Sequence, residues 1–185
     1  DNIQKAIADK AFSGEYDGVT IIKYEAALHG EVKKPGLGPL HTEFDGKGNA
    51  YTSMFVSSEI VKWDLKTLEV KDRQPTFYSV GHLMIPGGDT KKPFGKYLVA
   101  YNKITKDRYL PTGPELAQSA QLYDISGDKM KLLLDYPTFG EPHYAQALPG
   151  EMLKDQVKFF KIEDNKNPYV TKGEKESKVV REGNK

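Results

Sequence analysis

The feature that most narrows what this chain can fold into is an order of short β runs that occurs twice. Ala50–Val56, Glu59–Leu65 and Leu68–Arg73 read as strands, because apolar positions alternate along them and turn residues divide them. Lys96–Asn102, Ala120–Ile125 and Met130–Asp135 repeat the order. In each pass the middle run closes on an aromatic–Asp pair, Trp63-Asp64 and then Tyr123-Asp124. Each pass ends on Pro-Thr-Phe, at Pro75-Thr76-Phe77 and Pro137-Thr138-Phe139, and a histidine follows, His82 and then His143. His41 stands in a near-equivalent place ahead of the first pass. A third pass starts with Ala145–Leu148 and Val157–Ile162, then gives way to a charged stretch, Glu163–Lys185, that reads as a linker.

The three histidines are spaced 41 and 61 residues apart. The first interval matches the roughly 40–50 residues of a four-stranded propeller blade. The second fits the same blade with an insertion between Lys103 and Gln118, a stretch containing Pro and Gly. A repeat fold tolerates growth in one inter-strand connection. The expectation is therefore an all-β chain made of β-propeller blades, with residues 1–162 as a partial ring. A short helix over residues 1–12 would precede them, with Ile3, Ala6, Ile7 and Ala11 on one face. Propellers typically need four to eight blades to close, and the chain reads as a piece of something longer.

Composition removes whole classes of function. Lys+Arg 27 against Asp+Glu 26 leaves a formal charge of +1, with no basic field for nucleic acid. Without cysteine there are no disulfides, thiolate metal sites or thiol nucleophiles. Any soft or borderline metal would need imidazole. No apolar run approaches the length of a membrane span, and the opening residues lack the order of a signal peptide. Gly87-Gly88-Asp89 is a turn rather than a phosphate loop, since no helix pattern or Gly-Lys-Ser/Thr follows it.

A chain that returns an imidazole to the same place in successive units can aim several nitrogens at one point, so His41, His82 and His143 are candidate metal ligands. His29 lies outside the pattern and reads as a surface residue. Glu141, two residues before His143, would face the same way on an extended chain and could orient it or carry protons. Lys103 borders the insertion, where lysines are usually solvated.

Long strings around these residues resemble the nitrous-oxide reductase family. They are Gly36–Thr42 around His41, Phe44–Thr52, Val61–Trp63, Lys103–Pro114, Asp124–Gly127 and Glu141–His143, in collinear order. Val179–Lys185 is similar to that family's junction with its second domain. The resemblance implies a seven-bladed propeller with a four-copper, sulfide-bridged cluster at its hub, held by seven histidines. His41, His82 and His143 match three of them. It further implies nitrous oxide as substrate, a cupredoxin domain with a dinuclear copper site beyond residues 163–185, and a head-to-tail homodimer. An electron-donor cytochrome or cupredoxin and a periplasmic location come with it.

Lys103 and Glu141 match a lysine and a glutamate beside the cluster that supply protons or bond its open edge. A structural calcium borders the lysine in the family, but Gln118 stands here where an acid would be its ligand. Leu83-Met84 after His82 also departs from the Asn-His of many members. Taken alone, a chain with three of seven ligands is expected to be inactive. A non-catalytic propeller that binds a partner through its rim would fit the repeats and near-neutral charge, but has no reason to place imidazoles on successive inner strands. A propeller hydrolase with a hub calcium would show Asp and Asn where these histidines sit.

Overall fold

The computed structural model describes residues 1–103, 118–138 and 140–153. The chain divides into two units, Asp1–Leu148 and Pro149–Lys185. In the second, Gly150–Leu153 forms a single helical turn, α3. The expected strand at Val157–Ile162, the linker at 163–185 and most of the 103–118 insertion lie outside the described residues.

The first unit holds the two expected passes as two four-stranded antiparallel sheets. One consists of β3 (Pro39–Phe44), β4 (Asn49–Met54), β5 (Glu59–Asp64) and β6 (Val70–Pro75) in sequential order. The other consists of β7 (Val80–Met84), β8 (Tyr97–Asn102), β9 (Ser119–Asp124) and β10 (Lys131–Pro137), also sequential. The histidine-bearing segments that preceded each set of three runs, at His41 and His82, are the first strands of these sheets.

Turn chemistry explains why the runs break where they do. Between β3 and β4, Asp45 accepts hydrogen bonds from the Lys47 and Asn49 backbone N–H groups at 2.7 and 3.1 Å, and from the Asn49 amide at 2.7 Å. Gly46 and Gly48 have φ of 71° and 90° in the same turn, the left-handed region that a side chain disfavours. The aspartates of the two aromatic–Asp pairs do the same work. Asp64 accepts from Lys66 and Thr67 N–H, and Asp124 from Ser126 N–H, so each seeds the turn after its strand. Their aromatic neighbours point the other way, and Tyr123 is fully buried.

Pro75 and Pro137 end β6 and β10, the last strands of their sheets, where a missing N–H disrupts no central ladder. After each proline the threonine N–H returns to its own sheet, Thr76 to the Ser58 carbonyl at 2.8 Å and Thr138 to the Gln118 carbonyl at 2.7 Å. The Pro-Thr cue thus marks the exit from a sheet's last strand.

The two sheets share one core. Tyr51 and Ile60 of the first pack with Val80, Leu83, Leu98 and Tyr123 of the second, all at 0–1% exposure. Fully burying such a side chain contributes about 1.5–3 kcal/mol. Polar fastenings cross the same boundary. Buried Lys62 donates to the carbonyls of Gly127 and Asp128 at 3.1 and 3.0 Å, and Asp72 accepts from the Met130 N–H at 2.7 Å. Burial lowers the Lys62 pKa, and those carbonyls compensate the charge. As a result β3 and β4 are held against β7.

Two expectations need correction. The N-terminal helix, α1, covers Asn2–Ala8, but only Ala6 of its apolar residues is buried and Ile3 and Ile7 remain more than half exposed. A hairpin follows it, β1 (Phe12–Tyr16) and β2 (Val19–Ile22), with one further helical turn, α2 (Tyr24–Ala27). Ala145–Leu148 is not a strand. Among the described residues it has no ladder partner, and side-chain bonds hold that segment instead.

Candidate metal centre

His41 and His82 occupy the third position of β3 and β7, the first strands of their sheets. Both fall where the pairing slips: between Pro39 and Thr42 in one sheet, and between Val80 and Leu83 in the other. A bulge bends the strand and re-aims a side chain. The same irregularity at the same position in both sheets brings the two rings together, with centroids 4.8 Å apart. His143 arrives on the extended segment after β10 rather than on a strand, and its ring lies 4.8 Å from that of His82. The three imidazoles therefore form a file with His82 in the middle.

Side chains distant in sequence hold the His143 segment in place. Asp89 accepts from the Gln146 amide at 2.6 Å and from the Tyr144 hydroxyl at 3.3 Å, and Gln146 also bonds the Tyr144 hydroxyl. This docks the Tyr144 ring against His41 and His82, with centroids at 5.7 and 5.1 Å. The Gly87-Gly88-Asp89 turn, legible only as a turn, is a clamp.

Lys103 is buried instead of solvated, with its side chain 9% exposed. Its Nζ lies 3.1 Å from His143 Nδ1 and 3.8 Å from Glu141 Oε1, and Glu141 is itself 3.8 Å from His143 Nδ1. Glu141 and His143 thus both approach Lys103, on a segment that forms no strand. Gln118 donates from its amide to the Lys103 carbonyl at 2.8 Å. His29 is exposed and apart from the file.

Electrostatics favours neutral rings for two of the three histidines. Burial lowers the pKa of His41, and the Lys103 charge adds to this against Asp89. Burial also lowers His82, joined by the charges of Lys103, His41 and His143. The Leu83 N–H donates to His41 Nδ1 at 3.1 Å, which puts the proton of a neutral His41 on Nε2. Among the described residues, the buried Nδ1 of His82 has no hydrogen-bond partner.

Glu43 carries a signal that the sequence hid. It lies two residues after His41, on the same side of β3, and is 1% exposed. Its Oε1 is 3.9 Å from His41 Nε2, and among the described residues its Oε2 has no hydrogen-bond partner. Burial, with the Asp89 charge, pushes its pKa up to about 7. Among the described residues no three His, Asp or Glu side chains already form the shell of a single ion. No described helix is long and apolar enough to cross a membrane.

Comparison with known proteins gives concordant matches. Residues 73–143 match the family model described as the nitrous oxide reductase propeller repeat. The chain is 42% identical over 171 residues to the nitrous-oxide reductase of Stutzerimonas stutzeri, an alignment covering 81% of this chain and 26% of that protein. Against the nitrous-oxide reductase of Ralstonia nicotianae it is 41% identical over 181 residues, 92% of this chain and 27% of that one. The enzyme of Cupriavidus necator gives 40% over 174 residues, with 88% and 26% covered. The chain spans about a quarter of the length of these curated relatives.

Proposed function

Because the chain belongs to the nitrous-oxide reductase family, as a segment carrying its propeller repeat, we propose that His41, His82 and His143 are ligands of a copper-sulfide cluster that reduces nitrous oxide. The observation that carries this reading is the file of three imidazoles, 4.8 Å from ring to ring, built from two bulged first strands and a clamped segment.

Two features of the residues suit such a group. Imidazole is a good copper ligand when neutral, and burial favours the neutral form of His41 and His82. The Nδ1 of His82 is a buried lone pair or N–H that no described residue satisfies. His41 would have to change its bonding: Leu83 N–H takes the Nδ1 lone pair and the proton sits on Nε2, so binding copper at Nε2 requires giving up the Leu83 bond and moving that proton to Nδ1. When bound, the cluster supplies the two electrons of the reaction, in which N2O, two protons and two electrons give N2 and water.

The chain's own side chains serve the proton half of that balance. Glu141 is half exposed and can exchange a proton with bulk water at its carboxylate. Lys103 holds protons at Nζ on the sheltered side of His143, within 3.8 Å of Glu141. Together they make a short route from solvent to the file. Tyr144 covers the edges of His41 and His82, and its bond to Asp89 keeps it there.

In this reading the four remaining histidines, the cupredoxin domain with its dinuclear copper, the homodimer contact and the electron donor's docking surface belong to sequence outside this chain. The segment alone is inactive, and the whole enzyme is periplasmic. A calcium beside Lys103 would compete with the Gln118 amide for the Lys103 carbonyl. The test uses the full-length enzyme that contains this chain. His82→Ala should lose copper and nitrous-oxide turnover, while His29→Ala should keep both. A His82→Ala enzyme with full copper and activity would overturn the assignment, and a partner-binding propeller would then be the better reading.

A further inference from the structure

We propose that Gly81 is a positioning residue: its missing side chain is the gap through which Lys103 passes to reach His143. This rests on the reading of Lys103 as a proton-supplying group, and the steric part stands independently of it. A Cβ placed on Gly81 would lie 2.0 Å from Lys103 Cε, 2.5 Å from Cδ and 2.9 Å from Cγ. Three successive carbons of the lysine stem thus run directly over the glycine. The backbone at Gly81 is not in the left-handed region, so its conformation would accept alanine. What excludes a side chain there is the lysine.

The lysine cannot yield by moving its backbone, which is pinned on both sides. Its N–H donates to the Ser79 carbonyl at 3.2 Å, and its carbonyl accepts from Gln118 at 2.8 Å. Gly81 itself is buried in the bulge of β7, immediately before His82. A methyl group at this position should therefore expel the Lys103 stem from its groove and carry Nζ away from His143, while leaving the strand conformation of His82 intact. A glycine inside a strand often marks a close approach of this kind.

The experiment compares wild type, Gly81→Ala, Lys103→Ala and the double variant in the full-length enzyme. Lys103 reactivity toward an amine-acylating reagent is read by peptide mass in copper-free protein, alongside thermal stability, copper content and turnover. Lys103 should be protected in wild type and react at least about 10-fold faster in Gly81→Ala. Turnover of Gly81→Ala should fall to the level of Lys103→Ala, about 10–100-fold below wild type, as expected for loss of a group adjoining a metal site. The double variant should be no slower than Lys103→Ala, and any stability lost in Gly81→Ala should return once the lysine stem is gone.

Unchanged Lys103 reactivity in Gly81→Ala would overturn the proposal. So would a double variant that is additively slower, or one that fails to fold like Gly81→Ala, since Gly81 would then act through something other than Lys103. If reactivity rises while Lys103→Ala keeps wild-type turnover, the steric relation holds but Gly81 positions no functional group. That outcome overturns the proton-supply role and, with it, the functional half of this inference.

Discussion

Glu43→Gln should remove a pH dependence of stability that the wild-type chain carries. Glu43 is fully enclosed, and its pKa rises from 4.5 to about 7 because burial penalises the carboxylate. The folded value lies above the unfolded one, so between about pH 4.5 and 7 the folded chain binds the extra proton. Stability is then highest below this window, falls as pH rises through it, and levels off above about 7. At about 1.4 kcal/mol per pKa unit, the charged form costs about 3 kcal/mol when the window has been crossed. Glutamine has the same shape and cannot ionise. Copper-free full-length protein should be unfolded with urea at pH 5 and pH 8, comparing wild type with Glu43→Gln. The variant should gain up to about 3 kcal/mol relative to wild type between the two pH values. Identical pH dependence in both proteins would show that Glu43 ionises freely and that its burial is not as described.

Two further perturbations test how the centre is held. Gln121 is fully buried and accepts from Phe77 N–H at 3.0 Å and the Asn102 amide at 2.9 Å. Gln121→Leu leaves both donors unsatisfied and should cost about 2 kcal/mol or more, read from the denaturation midpoint. Asp89→Ala removes the acceptor that docks Tyr144 and Gln146, so proteolysis within residues 141–148 should accelerate. Copper affinity should fall about 10–100-fold. A protected segment in Asp89→Ala would show that Asp89 is not the clamp.

Features fixed by local chemistry were legible in the sequence, while those depending on distant contacts were not. The strands were readable because alternation and Asx turns at Asp45, Asp64 and Asp124 act within a few residues. Strand ends accordingly fall within about two residues of the expected ones. The equivalence of His41 and His82 followed from the repeat, but the paired bulges beneath them depend on register, which the sequence does not display. The burial of Lys103 and Glu43 was hidden for another reason. Each occupies space left by a glycine far away in sequence, Gly81 for the lysine and Gly88 for the glutamate. A glycine directly before a candidate ligand in a strand was the available signal for the first. The β1–β2 hairpin had a readable cue as well. Asp17-Gly18 supplies two residues of positive φ, 49° and 77°, between two β runs.

Copper binding by His41, His82 and His143 can be seen directly. Anomalous scattering at the copper edge, from crystals of the active full-length enzyme, tests it most directly. Copper peaks should lie within about 2 Å of a ring nitrogen of each of these three histidines, a typical metal–imidazole distance. An active enzyme whose copper peaks lie beyond bonding distance of all three rings would contradict it.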